Sequence, residues 1–456
     1  MVGARAKEEL LPATRDPLPP PGAEPADAGA PPRRPWWVYA VPWTGRVPQL
    51  PARQWRILGL LACAELFENY DLGIFGLALP QIQLGLGIPE DQVGNLSALL
   101  RLGTIPALAI TVLADRIGRR RLLLATILGF TACTFATTFV RDTAQFAALQ
   151  LLARVFVAGE TMLAVVVLAE ELKARDRGWG IGMLGALGAM GHGLAAIVFG
   201  FVEILPFGWR ALYAIGALPM GLLAWFRRGL PETGRFQAHR AARGPQSGWR
   251  AWAQPMRDLV TMYPGRVAVI GLAVVPLDFV LVTASLFMAK TLQEVHGYSP
   301  GEVTVLYLVG GALGILGNIA AGALSDRWGR RGVLGLLLGV LALAFYSFYN
   351  GSGPAIAVIW VVQVFALQGV GVLFKALGSE LFPTSYRSTA SGVRAILSTL
   401  GGSAGLVLES GLYAAAGSHG AAITWMLPAL AIPPLVIWFG LPETATRELE
   451  EIAPER

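Results

Sequence analysis

Polar and apolar positions alternate along this chain in long blocks rather than at helical or strand spacing. Twelve apolar segments of 18–27 residues run roughly over 57–79, 93–114, 121–140, 144–169, 178–203 and 209–228, then over 266–289, 302–324, 332–349, 354–379, 389–415 and 420–441. A helix needs ~20 apolar residues to cross a ~30 Å hydrocarbon core, so each block predicts one membrane-spanning helix. The polar intervals are short except for 229–265, which separates six spans from six. Residues 1–35 are rich in Pro and Ala and predict a disordered cytoplasmic tail. Trp36, Trp37, Tyr39 and Trp43 suit a segment at the membrane interface. The chain is thus expected to divide into a tail and interfacial segment at 1–54, a six-helix bundle at 55–228, a cytoplasmic linker at 229–265, a second bundle at 266–441 and a cytoplasmic tail at 442–456.

The two halves repeat each other. Asp115-Arg116-Ile117-Gly118-Arg119-Arg120 returns as Asp326-Arg327-Trp328-Gly329-Arg330-Arg331, 211 residues later. The same offset links Pro231-Glu232-Thr233 to Pro442-Glu443-Thr444, and Pro89 to Pro300. Three landmarks in one register indicate a duplicated unit.

Composition agrees with a lipid-facing chain. Of 456 residues, 54% are hydrophobic and only 14% charged, against roughly 25% charged in soluble domains. A net charge of +6 does not point to nucleic acid, because the basic residues fall in short runs between apolar blocks. Assigned to alternate sides of the membrane, 29 of the 36 Lys and Arg fall on one side and three on the other. Cytoplasmic loops carry that excess, so both termini are expected inside. The two cysteines and four histidines have no ligand spacing, so neither a metal nor a disulfide is expected. No phosphate-binding Gly-Lys-Ser/Thr loop is present, which leaves an ion gradient as the energy source.

The repeated loop carries a resemblance. Gly322, Asp326, Arg327, Gly329, Arg330 and Arg331 match the motif of the major facilitator superfamily in full, and the first copy departs from it at Thr111. Glu380-Leu381-Phe382-Pro383-Thr384 with Arg387 looks like its sugar-porter branch. Asn69-Tyr70-Asp71-Leu72 and Gly159-Glu160 look more like the metabolite–proton symporters. The resemblance implies an all-α membrane protein of twelve transmembrane helices in two six-helix pseudo-repeats, working by alternating access around a site near the midplane. It also implies that helices 1, 4, 7 and 10 line the cavity and that the motif loops gate the cytoplasmic face. The expected gate comprises Asp115, Arg116, Gly118, Arg119, Arg120, Glu171 and Arg177, mirrored by Asp326, Arg327, Gly329, Arg330, Arg331, Glu380 and Arg387. Ion pairs from Glu170, Glu171 and Glu380 to these arginines would close that face. The alternative is a basic hairpin that sets topology alone.

Ionisable side chains inside a span are costly, so their positions are informative. Spans 1, 4, 7 and 10 hold Glu65, Glu68 and Asp71; Arg154 and Glu160; Asp278; and Lys375, whereas spans 3, 6, 9 and 12 hold none in their interiors. At ~1.5 Å per residue, Glu68 and Asp71 lie ~16 and ~21 Å along span 1. Arg101 in span 2 has similar depth and is expected to pair with Asp71. Glu68 or Glu160, less obviously paired, is the candidate proton carrier. Arg154 suits a substrate carboxylate, or it pairs permanently with Glu160. Gln363 and Gln368 complete the expected substrate and proton pathway.

These readings predict no enzyme, but a monomeric, proton-coupled symporter of the plasma or inner membrane that takes a small polar metabolite. A carboxylate is favoured and a sugar comes next. Two alternatives stand beside it: a proton-driven exporter of drugs or cations, and a non-transporting receptor.

Overall fold

The computed structural model describes residues 34–40, 47–228, 249–383 and 386–441. Every expected span falls on helix. In the first half these are α1 (Ala52–Leu77), α3 (Val93–Leu102) with α4 (Leu108–Ile117), α5 (Arg119–Thr137), α6 (Thr143–Glu171), α7 (Ala174–Phe199) and α8 (Trp209–Arg227), with a short α2 (Leu79–Leu86) after the first span. The second half has α10 (Pro264–Glu294), α11 (Pro300–Trp328), α12 (Arg330–Asn350), α13 (Ala355–Glu380) and α14 (Arg387–Ala416). Its last span is α15 (His419–Met426) followed, after a tight turn, by α16 (Ile432–Gly440). Among the described residues nine helices are long and apolar enough to cross a membrane. The remaining three spans are α1 and α5, which carry charges, and the broken pair α3 and α4.

Local chemistry sets several boundaries. Asp142 caps α6 by accepting from the Gln145 amide, and Ser299 with Glu302 forms a reciprocal capping box ahead of Pro300 on α11. Gly118 and Gly329 lie at φ 110° and 86° between α4 and α5 and between α11 and α12. Residues with a Cβ rarely adopt that conformation, so the repeated turn depends on glycine in both copies. The interval expected to be a plain linker carries a helix of its own, α9 (Trp249–Met262).

The packing is itself duplicated. In the first half α1 packs along α7, and in the second α10 packs along α14, the equivalent pair. Between halves α3 packs on α14, and α7 packs on α11. Below its break, α4 packs instead on α5 and α6 of its own half. Apolar side chains that no protein covers project from the third helix of each triplet: Phe135 on α5, Leu218 and Trp225 on α8, Leu343 on α12 and Phe439 on α16. Those helices carry charge only at their ends, as a lipid-facing position requires. Of the aromatic segment before α1, Trp36 and Tyr39 are exposed, while Trp37 packs edge-on against Trp55 at 5.8 Å. Trp43 lies outside the described residues.

Candidate functional site

The midplane ionisable groups separate into two clusters. The first lies where α1, α6 and α8 meet. Glu65 and Glu68 are one turn apart on α1, and Thr161 Oγ1 of α6 is 3.2 Å from an oxygen of each. A hydroxyl has one proton to donate, so it can serve only one of the two carboxylates as donor. Glu65 has further support from Asn69 Nδ2 at 3.3 Å. Glu68 is 1% exposed, and its Oε1 has no hydrogen-bond partner among the described residues.

Glu160 is the third carboxylate of this cluster, and it is paired. One oxygen meets Arg227 and the other meets Thr126, while Arg227 also donates to the Leu60 carbonyl at 3.0 Å. Glu68 feels the charges of Glu160, Glu65 and Arg227, and Glu65 that of Glu160, so three carboxylates share this cluster with one guanidinium. Buried charge of one sign in excess requires a proton or another cation.

The second cluster joins the halves. Asp71 Oδ1 accepts from Thr134 Oγ1 at 3.3 Å, and its electrostatic partner is Arg154. On α3, Arg101 donates to Ser398 Oγ of α14 at 3.4 Å, and Asp278 of α10 accepts from the same serine. Arg101 thus faces Asp278, in place of the expected pairing with Asp71. The depth arithmetic put Arg101 and Asp71 at one level, but α3 turns toward α14 and its side chains follow.

Arg154 does not pair with Glu160. The two are six residues apart on α6, ~120° around the helix, and Glu160 faces Arg227. Among the described residues Arg154 makes neither a hydrogen bond nor an ion pair; Asp71 and Arg101 influence it only through longer-range charge. A guanidinium with five donors and no acceptor in a bundle core is free to grip a planar anion.

Other predicted residues are dispersed. Gln363 is fully buried, its amide turned to the Met288 sulfur and its Oε1 without a partner. Gln368 is exposed and lies toward Gly314 on α11, so the two glutamines do not act at one place. Lys375 and Arg394 line a pocket with Ile270 and Gly378.

At the arginine-rich end, Arg119 pairs with Glu170 at 3.0 Å, inside one half. Glu171 pairs with Arg53, at the start of α1, at 3.2 Å, instead of with an arginine of the motif loops. Arg120 donates to the Arg228 carbonyl, Arg330 pairs with Asp326 at 3.0 Å, Arg331 donates to the Trp438 carbonyl and Arg387 to that of Phe382. The Arg177 Nε has no partner among the described residues, and Arg327 is exposed. The side chains of Asp115, Arg116 and Glu380 lie outside the described residues. Each ion pair described at this end lies within one half.

Arg227 is the ionisable residue of these clusters that the sequence reading missed, because it stands at the end of span 6 beside Arg228 and reads as loop. A signal existed. Tyr213, Gly216, Met220 and Leu223 form the buried stripe of α8, and Arg227 continues it at the next helical step.

The sequence profile of the Major Facilitator Superfamily matches residues 61–406 and again 281–452. The gallate transporter of Pseudomonas putida is 26% identical over 367 residues, covering 74% of this chain and 81% of that one. The niacin transporter of Acinetobacter baylyi is 24% identical over 438 residues, covering 89% and 98%. Among solved structures, the inward open conformation of the xylose transporter XylE from Escherichia coli superposes with a TM-score of 0.69 at 16% identity, covering 88% of this chain and 99% of that one.

Proposed function

The chain belongs to the major facilitator superfamily of membrane transporters, and from that premise we propose that it works as a proton-coupled symporter of small organic carboxylates. The observation that carries this reading is Arg154, a midplane guanidinium without a hydrogen bond or ion pair among the described residues. It is the group to hold the substrate carboxylate, with Arg101 adding positive charge from α3. The names of two relatives, transporters of niacin and of gallate, agree in chemistry: both compounds carry a carboxylate on an aromatic ring.

The proton belongs to the first cluster. Three carboxylates against Arg227 leave an excess of negative charge, and Glu68 is the one with a vacant oxygen. A proton on Glu68 also completes the hydrogen-bond pattern, since Glu68 can then donate to Thr161 while Thr161 donates to Glu65. Glu68 and Asp71 share α1, so protonation of one cluster can be felt by the other through a single helix. Alternating access then rocks the halves about the contacts of α3 with α14 and α7 with α11. The 29-to-3 excess of basic residues supports a cytoplasmic placement of the arginine-rich turns and of both termini. The protein acts as a monomer in the inner or plasma membrane.

The test is uptake by proteoliposomes that contain a pH dye, with benzoate-like acids, aliphatic acids and sugars offered outside. Protons entering with an organic acid support the proposal; an acid that enters without proton movement, or a response to sugars alone, overturns it.

A further inference from the structure

Opposite the arginine-rich turns the bundle carries a separate ionisable cluster. His419, at the start of α15, has Nδ1 2.5 Å from Glu409 Oε1 and Nε2 2.7 Å from Glu90 Oε2. Glu409 lies on α14 and is fully buried, whereas Glu90 sits in the turn between α2 and α3. Phe287 stacks on the imidazole at a centroid distance of 4.3 Å, and Tyr413 lies tilted against it at 4.5 Å. Lys290 of α10 is buried and reaches Glu90 at 3.2 Å, Gln83 at 2.6 Å and Glu294 at 2.6 Å. Gln83 and Glu90 come from the first half of the chain and the other groups from the second, so the cluster fastens the halves together at this end.

Counting protons shows what the arrangement holds. A neutral imidazole has one N–H, and an ionised carboxylate only accepts. Both ring nitrogens lie within hydrogen-bond distance of a carboxylate oxygen, so the geometry requires one proton beyond a neutral histidine and two carboxylates. Glu90 does not carry it. Partial burial works to raise the Glu90 carboxyl, but the hydrogen bond from His419 and the charge of Lys290 outweigh it and hold it below the usual carboxylate range. Glu409 is also closely confined: its Oε2 has no partner among the described residues and would lie 2.8 Å from any Cβ placed on Gly94 of α3.

We propose that His419 and Glu409 form a proton-binding site that latches this end of the transporter, taking up one proton when the halves close there and releasing it when they part. With the proton, an imidazolium bridges Glu409 of one half to Glu90 of the other, and the stacked Phe287 face favours its charge. Without it, two carboxylates face each other across a neutral ring. Of the neighbouring charges, Asp91 and Glu294 favour the proton and Lys290 opposes it. The hydroxyls of Tyr413 and Tyr349 also lie in the electrostatic surroundings of Glu409. Glu90 stays ionised near neutral pH, so proton uptake there reports the His419 and Glu409 pair. The inference does not depend on which substrate is carried, nor on Glu68 carrying a coupled proton.

Closure can be read by electron–electron distances between spin labels at Leu84 and Val295, which are 87% and 70% exposed on opposite halves at this end. Cys63 and Cys133 are replaced first, and the labelled protein is held in lipid nanodiscs from pH 5 to 9. The expected result is a short-distance population that grows as pH falls, with the closed-to-open ratio changing about tenfold per pH unit on the alkaline side of the midpoint. His419→Gln should abolish that dependence, and Glu90→Gln, in a turn, should move the midpoint to lower pH. A ratio that is flat in the unsubstituted protein, an unchanged dependence in His419→Gln, or an unmoved midpoint in Glu90→Gln would each overturn the proposal. Should His419→Gln fail to fold, Glu90→Gln decides alone.

Discussion

Arg227 and Glu160 form an ion pair between α8 and α6 in which the two side chains are only 1% and 2% exposed. Removing one member leaves the other charged and buried, which costs about 3–5 kcal/mol. Arg227→Ala should lower the thermal unfolding midpoint sharply in detergent. Replacing both, with Glu160→Gln and Arg227→Met, should recover most of the loss. Equal destabilisation by the single and double replacements would show that the pair is not what holds these helices.

Arg154→Gln should leave folding intact and weaken substrate binding, because the side chain makes no hydrogen bond or ion pair among the described residues. A hydrogen bond to a charged group is worth about 1.5–3 kcal/mol, so binding should fall roughly 10- to 150-fold. Isothermal titration with a transported acid measures this directly. Arg154→Lys, which keeps the charge but loses the bidentate geometry, should fall between the two.

Glu68→Gln should separate exchange from accumulation. Substrate counterflow, which needs no net proton movement, should persist, while uptake driven by a pH gradient should stop. Glu65→Gln should have the smaller effect, since Glu65 already has Asn69 beside it. Loss of both activities in Glu68→Gln would assign Glu68 to structure or to the substrate.

Gly94→Ala tests the contact between α3 and α14. The added Cβ would lie 2.4 Å from the Leu406 carbonyl oxygen and 2.6 Å from Ser410 Oγ. The halves should then part at this end, with labelling of a cysteine introduced beside the contact, in a chain free of Cys63 and Cys133, by a water-soluble maleimide rising at least about tenfold, as expected for a shift of about 1.4 kcal/mol. Unchanged labelling would mean that α14 yields at no cost.

Acid should loosen the same end from the other direction. The Glu90 carboxyl is held below its ordinary value of 4.5 by contacts that outweigh its partial burial. Its contribution is fully present above that ordinary value and is lost as pH falls through the lowered one. Amide exchange of the 88–92 turn, compared between pH 3 and 6 after correction for intrinsic rates, should therefore accelerate only at the acid end.

Much of the architecture was legible because it rests on one-dimensional patterns. The lengths of the apolar blocks predicted the helices, and the repeated Asp-Arg-x-Gly-Arg-Arg stretch predicted two matching halves. Pairing was not legible. Arg101 turned to Asp278 and Ser398, Glu160 to Arg227, and Glu171 to Arg53, in each case because the side chain's direction around its helix depends on which neighbour that helix packs against.

The sequence by itself determined the number of spans and the duplication, since hydrophobic length and a repeated motif are legible in single segments. Tertiary structure alone decided which charges meet. It left Arg154 without a bonded partner among the described residues, drew Arg227 inward from the end of α8, and brought Glu90, Glu409 and His419 together from three separate elements. Electrostatic energy depends on distance and burial, and both are set only when the helices pack.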